Sequence, residues 1–190
     1  MSLRKVYKSY KKEMDVSMEN QRNIKFRSYA IAIVSCIAAI LFDQYTKHLA
    51  VVHLKDQESI TLIPGVFQLH YLENRGAAFG IMQGRQYIFT IGALIIVAVV
   101  IWLYRKIPHT KKYYLMRICA VLLCAGAIGN LIDRVSQGFV VDFFFFYLID
   151  FPIFNVADCF VVISCILFAF SILFYYKDHD LEMFSLKKKD

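Results

Sequence analysis

The sequence predicts an all-α membrane protein: a bundle of four transmembrane helices with a small extracytoplasmic β-hairpin or sheet and a loop cap. The chain of 190 residues is 58% hydrophobic and only 19% charged, whereas soluble domains carry about a quarter charged residues. Four apolar runs without proline each approach the ~20 residues that a helix needs to cross a bilayer. They cover roughly 29–50, 86–104, 113–133 and 154–176.

Helices are the expected form of these runs because backbone groups in hydrocarbon must find their hydrogen-bond partners within the element. The alternative is a set of core helices in a soluble protein, but four such runs leave too little polar chain to cover them. The first run contains Asp43 and Lys47, begins late and is long. It is therefore interpreted as a retained helix rather than a cleaved signal peptide.

The basic residues predict the orientation in the membrane. Residues 1–28 hold eight Lys or Arg against three acids, and the connection between the second and third runs is basic without an acid, whereas residues 136–153 carry no base. The positive-inside rule then places both termini and that middle connection in the cytoplasm. We expect a basic cytoplasmic extension (1–28), a membrane domain (29–176) and a cytoplasmic tail (177–190). The net charge of +7 comes from basic residues clustered in the segments assigned to the cytoplasmic side, so no nucleic-acid partner is expected.

The two outward segments carry the β signals. Residues 60–63 and 66–72 are strand-like and flank a turn at Pro64-Gly65. Residues 139–141 could form a further short strand, and the aromatic run 143–146 suits the headgroup level. The five cysteines lie inside the apolar runs, and their spacing suits neither a disulfide framework nor a zinc site. No metal site and no cofactor are predicted.

Polar side chains within and beside the apolar runs fall at one depth, near the outer interface. They are Asp43 and Lys47 in the first run, Asn130, Asp133 and Arg134 in the third, Asn155 and Asp158 in the fourth, and Asp142 in the preceding loop. Ionisable residues in a membrane are expensive and indicate a functional site by default. For Asp43 with Lys47, and for Asp133 with Arg134, an ion pair that anchors helices is a competing interpretation.

Asp142 and Asp158 have no obvious cationic partner in the sequence, which favours a catalytic role over a structural ion pair. Two neighbouring carboxylates do not both ionise readily, so one holds a proton while the other remains charged. Such a pair hydrolyses an amide without a metal. We hypothesise that Asp158 is the more acidic partner, because it lies near a helix N-terminus. Two other function classes stay open: a small transporter that relays protons, and a structural subunit that uses its acids as partner contacts.

Five blocks in order carry a resemblance to a known family. They are Asp43-Gln44-Tyr45-Thr46-Lys47, Asn74-Arg75-Gly76-Ala77-Ala78-Phe79-Gly80, Gly129-Asn130-Leu131-Ile132-Asp133-Arg134, Val140-Val141-Asp142-Phe143 and Phe151-Pro152-Ile153-Phe154-Asn155-Val156-Ala157-Asp158. In these blocks the chain resembles signal peptidase II, the prolipoprotein signal peptidase of bacteria. The resemblance implies an aspartic endopeptidase with a dyad at Asp142 and Asp158. The supporting residues that it implies are Asp43, Lys47, Asn74, Gly76, Asn130, Asp133, Arg134 and Asn155.

The resemblance also implies the substrate and the setting. Cleavage just before a diacylglyceryl-modified cysteine would release the signal peptide of a prolipoprotein. The expected partners are lipid-modified prolipoproteins, membrane lipids and inhibitors of the globomycin type, and the expected state is a monomer. The enzyme would be a multi-pass protein of the bacterial cytoplasmic (inner) membrane, with its active site near the extracytoplasmic face.

Overall fold

A computed structural model describes residues 3–76 and 86–184. This part of the chain is mostly helical, contains four helices long and apolar enough to cross a membrane, and has one three-stranded sheet. The predicted combination of apolar helices with a small sheet is confirmed.

The first helix, α1 (Leu3–Leu54), is a single helix of 52 residues. It continues beyond both ends of the apolar run because no proline or glycine interrupts residues 3–54. At a rise of 1.5 Å per residue it is about 78 Å long, more than twice the ~30 Å thickness of a hydrocarbon core. The basic N-terminal half of α1 therefore extends well past the apolar part.

The other long helices are α2 (Gln86–Tyr104), α3 (Tyr114–Gln137) and α4 (Val156–Phe170), and a π-helical turn at Ser171–Tyr175 extends α4. Helix α3 packs against α1, α2 and α4. Its contact with α4 is close at Gly126, where an added Cβ would meet the carbonyl oxygen of Ala157 and lie 2.7 Å from Val161 Cγ2. A larger residue there would push the two helices apart.

The end of α3 and the start of α4 each have a local cause. Gly138 ends α3 in the left-handed conformation (φ 78°) and donates its N–H to Arg134 O. Asn155 caps α4, accepting a hydrogen bond from the backbone N–H of Asp158, whose carboxylate accepts one from Asn155 N in return. This capping box begins α4 two residues later than the apolar pattern predicted.

The sheet is antiparallel, in the order β1 (Ile60–Ile63), β2 (Phe67–Asn74) and β3 (Val140–Phe145). It packs on the ends of α1 and α4 through a buried apolar cluster. The cluster contains Ala50, Leu54, Val141, Phe143 and Val156. The sheet is thus fixed to the helix ends at which the polar residues of α1, α3 and α4 lie.

The short helix α5 (Asp178–Leu181) packs against the start of α3. The Asp180 carboxylate pairs with Lys112 Nζ, and the rings of Tyr113 and Tyr176 stack with centroids 5.5 Å apart. The first residues of the predicted tail are therefore attached to the opposite end of α3 from the sheet.

Candidate active site

Asp142 on β3 and Asp158 on α4 are separated by 15 residues of sequence. They lie close together because Asn155 forms hydrogen bonds with both. Its side-chain Nδ2 donates to Asp142 Oδ1 at 2.6 Å, and its backbone N–H donates to Asp158 Oδ2 at 3.1 Å. The two remaining oxygens also have amide donors. Asn74 Nδ2 lies 2.8 Å from Asp142 Oδ2, and Asn130 Nδ2 lies 2.8 Å from Asp158 Oδ1. Each of the four carboxylate oxygens therefore accepts a hydrogen bond from an uncharged amide N–H group.

The sheet positions Asp142. Strand β3 pairs with β2 so that Asp142 lies opposite Leu72, and Asn74 lies opposite Val140 at the end of β2. Asn74 Oδ1 accepts a hydrogen bond from Gly76 N at 3.0 Å, which turns the Nδ2 of Asn74 toward Asp142. Gly76 acts through its backbone and is buried. The rest of the predicted block, residues 77–80, lies outside the described residues.

Burial and mutual repulsion oppose a negative charge on both acids at once, and they outweigh the hydrogen bonds to Asp142. Asp142 is 1% exposed. Among residues 3–76 and 86–184, no Lys or Arg forms an ion pair with Asp142 or Asp158. Burial, and then the charge of Asp158, raise the pKa of Asp142 from its ordinary value to about 7. This arrangement favours one proton on the pair near neutral pH.

A buried ion cluster lies behind the dyad. Lys47 Nζ is 2.9 Å from Asp43 Oδ2 and 2.9 Å from Asp133 Oδ2, and it donates to Asn130 Oδ1 at 2.9 Å. Lys47, Asp43 and Asp133 are each no more than 3% exposed. Asp133 therefore pairs with Lys47 of another helix, not with its neighbour Arg134.

Each acid of this cluster holds the residue that precedes one member of the dyad. Asp43 Oδ1 accepts from the backbone N–H of Ala157 at 2.8 Å, and Asp133 Oδ2 accepts from that of Val141 at 3.3 Å. Lys47 itself holds Asn130, which donates to Asp158. The cluster thus fixes the position of both dyad residues without touching either carboxylate.

Within the described residues, Arg134 forms neither a hydrogen bond nor an ion pair with a carboxylate of the dyad. Its guanidinium lies over the ring of Phe89, 5.6 Å from the centroid, and donates to Asn130 O at 3.4 Å. It lies one turn beyond Asn130 on α3, half-buried at the edge of the site. This position suits contact with a bound substrate better than support of the carboxylates.

Two further residues belong to the site, although the sequence reasoning did not select them. Gln44 Nε2 donates to Asp133 Oδ1 at 2.9 Å and to Gly129 O at 3.2 Å. Gln44 lies three residues before Lys47 in an apolar run, a spacing that could have identified it. Gly129 leaves room for the Asp43 carboxylate of α1. No local sequence pattern could show this requirement, because it depends on how α1 and α3 pack.

Replacing Gly129 by alanine should disrupt the cluster. The added Cβ would lie 2.6 Å from Asp43 Oδ2 and 3.3 Å from Ala157 Cβ. We expect Gly129→Ala to lower the free energy of unfolding by about 1–3 kcal/mol, the usual effect of overpacking. Thermal denaturation in detergent measures the change. Gly92→Ala is the control because its Cβ would meet nothing within 4 Å, and equal stability of the two variants would contradict the assigned role of Gly129.

Comparisons with known proteins agree in extent and fold. A family model described as Signal peptidase (SPase) II matches residues 35–174. The lipoprotein signal peptidase of Clostridioides difficile is 44% identical over 144 residues, 75% of this chain and 95% of the relative. That of Streptococcus pneumoniae is 41% identical over 144 residues, 75% and 93% of the two chains.

A solved structure described as a bacterial membrane enzyme superposes with a TM-score of 0.66 at 32% identity, covering 85% of this chain and 95% of the other. A second solved bacterial membrane enzyme gives a TM-score of 0.65 at 34% identity, covering 77% and 95%. The family model spans most of the apolar helices and the residues around Asp142 and Asp158. The chain therefore belongs to the signal peptidase II family.

Proposed function

We propose that the protein is an intramembrane aspartic endopeptidase that removes the signal peptide from diacylglyceryl-modified prolipoproteins by cleavage just before the lipidated cysteine. Asp142 and Asp158 form its catalytic dyad. One observation carries the proposal: two acids on separate elements share Asn155 and pair with no cation in the part of the chain that the structure describes. The relatives named lipoprotein signal peptidase support the substrate class.

The two acids have different roles in the proposed reaction. Ionised Asp158 takes a proton from a water molecule, whose oxygen attacks the scissile carbonyl carbon. Protonated Asp142 donates to the carbonyl oxygen, which gives a neutral tetrahedral intermediate. Collapse of this intermediate returns a proton from Asp158 to the leaving amide nitrogen, and Asp142 regains its own proton from the hydroxyl. The raised pKa of Asp142 supports its role as the acid at neutral pH.

The membrane position follows from the charges and the apolar surface. We propose that the four long helices cross the cytoplasmic membrane as a bundle, with both termini in the cytoplasm and the sheet at the extracytoplasmic interface. The loop after β3 exposes apolar side chains. They are Tyr147, Leu148, Ile149 and Phe151. A signal peptide is a membrane segment whose cleavage site emerges at that interface, so the dyad meets the bond without drawing it into hydrocarbon.

The exposed helix faces suit the lipid part of the substrate. The diacylglyceryl chains would lie along the apolar helix surface in the bilayer, while Arg134 and Asn74 at the edge of the site would hold peptide carbonyl groups. We propose that a monomer is sufficient, because every donor to the dyad oxygens comes from one chain. Inhibitors of the globomycin type would occupy the same site.

Cleavage of a defined precursor tests the proposal. Purified full-length protein in detergent is incubated with a diacylglyceryl-modified prolipoprotein and, in parallel, with the same precursor lacking the lipid. We expect only the modified precursor to be cut, with mass spectrometry placing the lipidated cysteine at the new N-terminus. Cleavage at another bond, or equal cleavage of the unmodified precursor, would reject the proposed specificity.

The pKa of Asp142 predicts the pH dependence of cleavage. Asp142 must hold a proton to act as the acid, so activity is present below its pKa and is lost as the pH rises through about 7. We expect log kcat/KM to fall by one unit per pH unit above that value. A profile from pH 5.5 to 9 measures it. Constant activity up to pH 9 would show that Asp142 does not carry the required proton.

A further inference from the structure

A cleft with a basic mouth opens at the end of the helices opposite the dyad. It runs between α1 on one side and α2 with the start of α3 on the other. Arg27 at this mouth and Asp43 at the active site are 16 residues apart on α1, which corresponds to about 24 Å along the helix. The cationic mouth is therefore separate from the peptidase site, whereas the deeper walls of the cleft reach Ala39 and Ile128, close to Asp43 and Gly129.

The mouth is a cavity of about 700 Å³ that contains three cations, Arg27, Lys111 and Arg117. Among the described residues, no Asp or Glu lines it. Arg117 Nη2 donates to Thr110 O at 2.9 Å, and Nη1 donates to Pro108 O, so this guanidinium also fixes the α2–α3 connection. Arg27 and Lys111 have no hydrogen-bond partner within the described part of the chain and can turn toward a bound anion.

His109 lies beside the cations of the mouth. Burial and the charges of Arg117 and Lys25 lower the pKa of this imidazole. His109 lines the cavity, and its Nδ1 is buried without a hydrogen-bond partner among residues 3–76 and 86–184. Since unpartnered buried polar atoms are rare in folded proteins, a bound polar group is a reasonable partner for it.

A second cavity of about 340 Å³ continues the cleft into the apolar part of the helices. It shares three lining residues with the mouth, namely Ala32, Tyr104 and Val121. Its remaining walls are almost entirely apolar and come from α1, α2 and α3, with Arg105 as the one charged residue that lines it among those described. The cleft thus combines a cationic entrance with an apolar interior at membrane depth.

We propose that this cleft binds an anionic phospholipid, with its phosphate at Arg27 and Lys111 and an acyl chain in the apolar cavity. Basic pockets between membrane helices suit anionic headgroups, and each nearby Lys or Arg adds attraction. The charge disfavours the other membrane segment at hand, because the N-terminal region of a signal peptide is itself basic. A free phosphate ion would leave the apolar cavity unused. The proposal goes beyond the peptidase function and does not depend on it.

Lipid binding to two matched variants tests the proposal. Full-length protein in a nonionic detergent is titrated with dioleoylphosphatidylglycerol or dioleoylphosphatidylcholine, and native mass spectrometry counts the bound lipid. We expect tighter binding of phosphatidylglycerol, and a Kd about tenfold weaker in Arg27→Gln with Lys111→Gln. The control is Lys8→Gln with Arg22→Gln, which removes the same charge from exposed positions of α1 that do not line the cleft. This control should bind as the unchanged protein does.

The apolar half of the cleft is tested separately. Ala32→Phe fills the point at which the two cavities meet and should weaken phosphatidylglycerol binding while leaving every charge in place. This variant decides the matter if the charge variant fails to fold. Equal binding of the two lipids, equal loss in the control, or unchanged binding by Ala32→Phe would each overturn the proposal. Prolipoprotein cleavage is measured in parallel. The lipid titration then tests the cleft proposal, and the cleavage assay tests the peptidase proposal separately.

Discussion

Asp142→Asn and Asp158→Asn should each lower prolipoprotein cleavage by about 10²–10⁴-fold, the range that positioned acid–base groups contribute. An asparagine keeps the shape of the side chain but can neither accept the proton of water nor pass one to the carbonyl oxygen. The remaining side-chain oxygen of the new asparagine would keep one amide donor, and the other donor would lose its acceptor. Since a single hydrogen bond is lost, we expect the fold to persist. Initial rates on the lipid-modified precursor, together with thermal denaturation in detergent, measure the two effects.

Asp150→Asn is the matched control. Asp150 lies between the two dyad residues in sequence, is exposed, and adopts the left-handed conformation with φ 47°. Asparagine accepts this conformation as readily as aspartate does, so the control should cleave at the normal rate. If either dyad variant behaved like Asp150→Asn, the assignment of that carboxylate as a catalytic group would be wrong.

The apolar helices were predictable because membrane segments have a strong one-dimensional signal. Length and hydropathy located α2 at residues 86–104, in agreement with the structure. The same signal did not predict how far α1 extends, since it measures apolarity, whereas the helix continues through polar residues with no breaker. The strands β1 and β2 followed from the turn at Pro64-Gly65. That β2 also pairs with β3 depends on a contact between distant segments, which no local pattern carries.

For the candidate site, sequence gave the residue types and their common depth but not their partners. Asp43 and Lys47 form the predicted pair. Asp133, however, turns to Lys47 rather than to its neighbour Arg134, because adjacent residues on a helix point in directions about 100° apart. The bridging role of Asn155 likewise requires α4 and β3 to meet. Spacing within one helix cannot supply that information.

Lys47→Met should be the most destabilising single substitution in the buried cluster. The methionine fills a similar volume but leaves Asp43 and Asp133, both almost fully buried, without their shared cation. Breaking a buried ion pair from one side reduces the free energy of unfolding by about 3–5 kcal/mol. Chemical denaturation in mixed micelles measures this change. Since Asp43 and Asp133 hold the residues before Asp158 and Asp142, cleavage should fall with stability.

Lys55→Met provides the comparison because its ion pair with Glu73, at 3.2 Å, is partly exposed. An exposed pair contributes about 0–1 kcal/mol. A similar loss in both lysine variants would therefore show that the buried ion pairs of Lys47 do not stabilise the fold. Adding Asp133→Asn to Lys47→Met separates charge from packing. If uncompensated negative charge is the cause, the double variant should be more stable than Lys47→Met alone. If lost packing is the cause, the second substitution should lower stability further.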